Sequence, residues 1–172
     1  WQSPAEVTPR PDSGGKSNFI RIGNKGNKGD YNYPRVGSFG SVSHEYEIGQ
    51  YKVSNAQYAS FLNLVASDSD PNGLYNPKMR IKREFKDGKI IYDTYPATAN
   101  AAVTYVSWYD ALHYCNWLGG DYTISLKGSS GQRKKGAKYF LPTEDEWYKA
   151  AYYDPKTKKY KLYPLRDSHK IE

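Results

Sequence analysis

Residues Phe140 to Pro155 read F-L-P-T-E-D-E-W-Y-K-A-A-Y-Y-D-P, and this stretch decides the fold. Thr143 has the side chain of an N-cap, and Glu146, three positions on, completes a capping box, so a helix begins here. Glu144, Asp145 and Glu146 then fall in the first turn, where the positive end of the helix dipole favours carboxylates. Trp147, Ala150 and Ala151 recur at i, i+3 and i+4. They predict one apolar stripe with Trp147 as its core anchor, ended by Asp154-Pro155.

Two upstream segments repeat the design. Ser54 and Gln57 form a capping box, Val53 and Tyr58 a hydrophobic staple, and Tyr58, Phe61, Leu62 and Val65 a stripe anchored by Phe61. Ser107 and Asp110 open a third helix whose stripe is Trp108, Ala111, Leu112, Cys115 and Leu118, stopped by Gly119-Gly120. Trp108, Leu112 and Cys115 are its core anchors, with His113 and Tyr114 off the stripe. Over residues 42–53 the pattern alternates, with Val42, His44, Tyr46 and Ile48 on one face, which predicts a half-buried strand. Ile81 to Phe85 and Ile90 to Tyr95 flank Asp87-Gly88, a two-residue hairpin turn that pairs Phe85 with Ile90, Arg83 with Tyr92 and Lys82 with Asp93.

The run L-P-T-E-D-E-W-Y-K-A-A resembles the signature helix of the formylglycine-generating enzyme, or sulfatase-modifying factor, family. Y-K-V-S-N-A-Q-Y-A-S-F-L-N (Tyr51 to Asn63) and V-T-Y-V-S-W-Y-D-A-L-H-Y-C-N-W-L (Val103 to Leu118) match it in the expected order. The resemblance runs from about Phe19 to Pro164 and corresponds to the N-terminal half of a typical family domain. It implies an α+β, C-type-lectin-like fold, here incomplete, with three short capped helices, a hairpin and long irregular connections. It divides the chain into a Pro/Ser-rich leader (1–17), the domain part (18–165) and a divergent tail (166–172). The activity it implies is oxidation of a sulfatase cysteine to formylglycine, with molecular oxygen and a copper ion held by two cysteines of the second half.

Length and composition bound the alternatives. A chain of 172 residues with 18 Tyr, 5 Phe and 4 Trp can bury a real core. A mean hydropathy of -0.87 argues against a membrane span, and no apolar run approaches the length one needs. The net charge of +7 admits an anionic partner. Arg133, Lys134, Lys135 and Lys138 form the densest basic cluster and are the candidate anion site, with an acidic glycan the natural ligand of a lectin-like domain; nothing in the chain resembles a nucleic-acid motif. A start at Trp1, followed by Pro4, Pro9 and Pro11, favours an exported chain that is secreted, periplasmic or at the cell surface.

Few residues of this chain have the type and spacing that metal chemistry needs. Asp68, Asp70 and Asn72 have the spacing of the first half of a calcium loop, but Met79 stands where the bidentate Glu belongs, so calcium is only a candidate cofactor. Cys115 is the chain's one cysteine, and the three histidines, His44, His113 and His169, lie far apart; Cu(I) calls for a pair of thiolates. The reading is therefore a non-catalytic binding or structural module that needs no cofactor of its own. A protein partner or self-association would cover its incomplete core. The alternative is the truncated N-terminal portion of the copper oxidase.

Overall fold

The computed structural model describes residues 19–31, 38–120, 133 and 135–164; the expected leader, the tail and Lys134 lie outside them. The described chain is mixed helix and sheet: β1 (Phe19–Ile22), β2 (Tyr46–Gly49), α1 (Asn55–Val65), β3 (Ile81–Lys86), β4 (Lys89–Thr94), α2 (Trp108–Leu118), α3 (Glu144–Tyr152), β5 (Tyr153–Asp154) and β6 (Lys159–Tyr160). Each consecutive strand pair forms its own two-stranded antiparallel sheet. The elements fall into two compact units. One comprises Tyr51–Leu141; the other combines residues 19–50 with 142–164.

In the first unit α1 starts where its capping box requires: Gln57 N–H donates to Ser54 Oγ, and the Gln57 side chain returns to the Ser54 amide. Tyr58, Ala59, Phe61 and Leu62 are its buried face. Asn63, on the next turn, acts as a surrogate strand edge: its amide nitrogen donates 2.7 Å to the Tyr92 carbonyl and its oxygen accepts from the Tyr92 N–H at 2.8 Å. This doublet ties α1 to β4. The β3–β4 hairpin has the predicted register, Phe85 with Ile90, Arg83 with Tyr92 and Lys82 with Asp93. Its turn residues Asp87 and Gly88 have φ of 52° and 79°, both left-handed as a type I′ turn requires.

α2 begins at the predicted box of Ser107 and Asp110, but its buried face is not the predicted one. Tyr114 and Trp117 are buried, while Trp108 is 49% exposed and Leu112 and Cys115 are half-buried. The larger rings win because they fit the aromatic surface of α1: Tyr114 stacks on Tyr58 at 5.9 Å and meets Phe61 edge-on at 5.4 Å, and Trp117 lies 5.4 Å from Phe61. Trp108 instead packs edge-on against its neighbour Tyr109. His113 is half-buried, and desolvation pushes its pKa below the ordinary imidazole value. Of the expected anchors, Phe61 is fully buried and Trp108 is not.

In the second unit the expected strand over 42–53 shrinks to Tyr46–Gly49, because β1 offers only four residues to pair, from Phe19 with Gly49 to Ile22 with Tyr46. Beyond Ile22 the chain turns through Asn24 and Gly26, both at positive φ, and the Gly26 N–H donates to the Val42 carbonyl. Strands β5 and β6, closed by a turn with Lys158 at φ 56°, had no counterpart in the sequence reading.

Candidate functional site

The most unusual chemistry lies on the inner face of α3. Its capping box forms as expected: the Glu146 N–H donates to Thr143 Oγ1, and the Thr143 N–H donates 2.8 Å to Glu146 Oε2. The predicted anchor Trp147, however, is 52% exposed, and the residues at 1% exposure are Glu146 and Lys149. Helix α3 therefore turns a charged edge inward. A buried charge survives only where hydrogen bonds replace its water, and these side chains have them. His44 Nε2–H donates 2.8 Å to Glu146 Oε1, and the Tyr46 hydroxyl donates to the Glu146 backbone carbonyl. Lys149 Nζ donates 3.0 Å to the Asn24 carbonyl and lies 5.8 Å from the centre of the Tyr153 ring.

The titrating groups respond accordingly. Burial lowers the Lys149 ammonium, and the nearby Glu45 carboxylate works against that shift. Burial, helped by the Glu146 charge, raises the Tyr46 phenol well above its usual range. The exposed Glu45 carboxylate is held low by its bond with Arg21.

On the flank of α3, Asp145 Oδ1 accepts the Gly40 N–H at 2.7 Å, and the Tyr148 hydroxyl donates 2.8 Å to Asp30 Oδ2. Asn27 Nδ2 reaches both the Gly40 carbonyl and the Tyr160 oxygen at 2.8 Å. Tyr160, its phenol pushed up to about 12 chiefly by burial, donates to the Gly40 carbonyl at 2.6 Å. The whole is a polar core in which α3 is held by hydrogen bonds from residues 24 to 46.

The other candidate residues are dispersed. Both oxygens of Asp70 accept backbone N–H groups of its own loop, from Leu74 and Tyr75, each at 2.9 Å. Asp68 points to solvent 4.0 Å from Lys89, and Asn72 is exposed. Asp70 is thus the organiser of its turn. Arg133 lies over the Phe140 ring at 3.5 Å and donates to the Leu141 carbonyl, while Lys135 and Lys138 are exposed. A shallow hollow of about 310 Å³ opens beside the hairpin turn between Asn63, Ser67, Lys86 and Lys89.

Cys115 lies within α2, and burial pushes its thiol up to about 11. A Cu(I) site needs two thiolates at neutral pH, so this single, protonated thiol does not fit the copper that the resemblance implies. Among the described residues, no three His, Cys, Asp or Glu side chains are grouped to hold a metal ion. Nor, among them, is any helix long and apolar enough to cross a membrane.

The sulfatase-modifying factor enzyme 1-like domain family matches residues 19–171. The chain belongs to that family. The sulfatase-modifying factor domain is also similar to the serine/threonine-protein kinase pkn1 of Chlamydia caviae, with 26% identity over 152 residues, 83% of this chain and 20% of that one. The chain therefore spans about a fifth of that relative's length. No solved structure matches it. Helix α3 lies within the stretch that the family matches, so the residues missed by the stripe reading, Glu146 and Lys149, sit inside the family's domain. The signal that was open to reading is their spacing: a capping-box Glu followed at i+3 by Lys places both charges on one side of the helix.

Proposed function

We propose that this sulfatase-modifying factor domain is a non-catalytic binding or structural module, on an incomplete C-type-lectin-like scaffold, acting outside the cytoplasm. The observation that carries the reading is Cys115: the chain's one cysteine is a half-buried, protonated packing residue of α2 rather than a ligand. Helix α2 also supports a protein partner. It is apolar on two sides; Tyr114 and Trp117 fill the core of their unit, and Trp108 on the other side stays half open.

The competing reading, the N-terminal portion of a formylglycine-generating oxidase, draws on the family match. One assay separates the two. The native protein, its intact mass established, is incubated aerobically with copper and a peptide containing Cys-x-Pro-x-Arg, and the peptide is weighed by mass spectrometry. Unchanged cysteine is expected; conversion to an aldehyde by protein of the mass of this chain overturns the proposal.

A further inference from the structure

We propose that His44 is a pH-sensitive latch on the first turn of α3: protonated, it clamps the Glu146 carboxylate against the Thr143 amide, and neutral, it loosens that hold. The geometry is that of a relay with one wet end. The Glu146 side chain is 2% exposed and the His44 side chain 50%, so solvent protons reach the imidazole and their effect is passed to a carboxylate inside the fold. Each carboxylate oxygen has a distinct partner. Oε1 takes the His44 Nε2–H and Oε2 the Thr143 N–H, and the second bond is itself half of the capping box that starts the helix. Both ring states donate to an ionised acceptor, but a protonated ring adds the Coulomb attraction of a full positive charge and draws the Glu146 carboxylate more firmly into the position in which Oε2 meets the Thr143 N–H. The state of the ring therefore sets how tightly the cap is held.

Among the described residues, charged and titratable groups around the pair come from β1 and the loop after it, β2, β6 and α3. Arg21 of β1 bonds Glu45, and Lys25 of the following loop also acts on Glu45. Tyr46 of β2 holds the Glu146 carbonyl, lies edge-on to the His44 ring at 5.9 Å and feels Tyr160 of β6. On α3 itself Asp145 is bonded to Gly40, and Lys149 to Asn24. Arginine, lysine, tyrosine and carboxylate side chains ordinarily titrate away from neutral pH, and histidine is the residue type that changes charge there. Because α3 is docked through polar bonds, with Trp147 left outside, its first turn has no apolar anchor at that position to mask the change.

The test is amide hydrogen exchange followed by NMR on the intact chain, with the His44 ring signals recording its own titration. The protection factor of the Thr143 amide, corrected for intrinsic base catalysis, is expected to fall by up to about fivefold as His44 loses its proton, the upper range of what a half-exposed ion pair contributes. His44→Gln keeps a neutral N–H donor and should flatten the dependence. A Thr143 protection factor that stays constant through the wild-type His44 titration overturns the latch without recourse to any variant. So does a His44→Gln chain that retains the wild-type dependence.

Discussion

The hydroxyl of Tyr160 lies over the α-carbon of Gly40, where a Cβ added to the glycine would stand 2.3 Å from it. Gly40 is also at φ +84°, a backbone region that disfavours L side chains, and its carbonyl accepts from both Asn27 and Tyr160. Replacing Gly40 by Ala should therefore destabilise by about 2–4 kcal/mol, combining left-handed strain with the loss of at least one hydrogen bond. Urea unfolding measures it. A loss below about 0.5 kcal/mol, the range of a neutral surface change, would contradict this account of the contact.

Phe61 and Trp147 give opposite expectations despite their common role in the sequence pattern. Phe61 is fully buried among Tyr58, Tyr114 and Trp117, so Phe61→Ala should cost about 3–5 kcal/mol. Trp147→Ala removes a ring already half in water and should cost under about 1.5 kcal/mol. Thermal unfolding of the two variants side by side decides the order.

Cys115 predicts a pH profile. Its thiol rises from 9.0 to about 11 on burial, so at pH 8 the folded protein should carry roughly 100-fold less thiolate than the unfolded chain and alkylate correspondingly slowly. The folded state holds the proton more tightly, so this contribution to stability is complete below pH 9 and is lost as the pH climbs from 9 towards about 11. Tyr114, also raised to about 12 by burial, acts in the same direction at still higher pH. Iodoacetamide kinetics across this range, with and without denaturant, provide the measurement; equal rates in the two states at pH 8 would refute the burial argument.

Asp70 should matter to the fold and not to calcium. Asp70→Ala leaves the Leu74 and Tyr75 amides without their acceptor and should cost about 2–3 kcal/mol. Millimolar calcium should leave the melting temperature of the native chain unchanged. A calcium-dependent rise that Asp70→Ala abolishes would restore the loop as a cation site.

The sequence was legible where structure is written locally. All three capping boxes and the hairpin register depend on residues within a few positions of one another, and all formed as read. Sidedness was less legible. On α2 two apolar faces competed, and the choice belonged to the shape of Tyr58 and Phe61 on another helix. On α3 the charged face went inward because its partners, His44 and Asn24, are supplied from 102 and 125 positions away. Periodicity ranks faces by apolarity and carries no record of such partners.

The second unit is assembled from two stretches of chain separated by the whole of the first, and this sets an order of events at the ribosome. Residues 19–50 emerge early, yet the helix and strands that complete their polar core are not translated until residues 142–164. The described part of the first unit is one continuous stretch, Tyr51–Leu141, and is translated in full before the second unit can close, reversing the usual rule that the earliest segment folds first. Until then Tyr46 waits for a carbonyl, and Asn27 and Gly40 for a phenol, that do not yet exist. The nascent β1–β2 ribbon is thus the stretch a chaperone would be called on to shelter, and closure comes late, across a loop of roughly a hundred residues whose entropy must be overcome in one step.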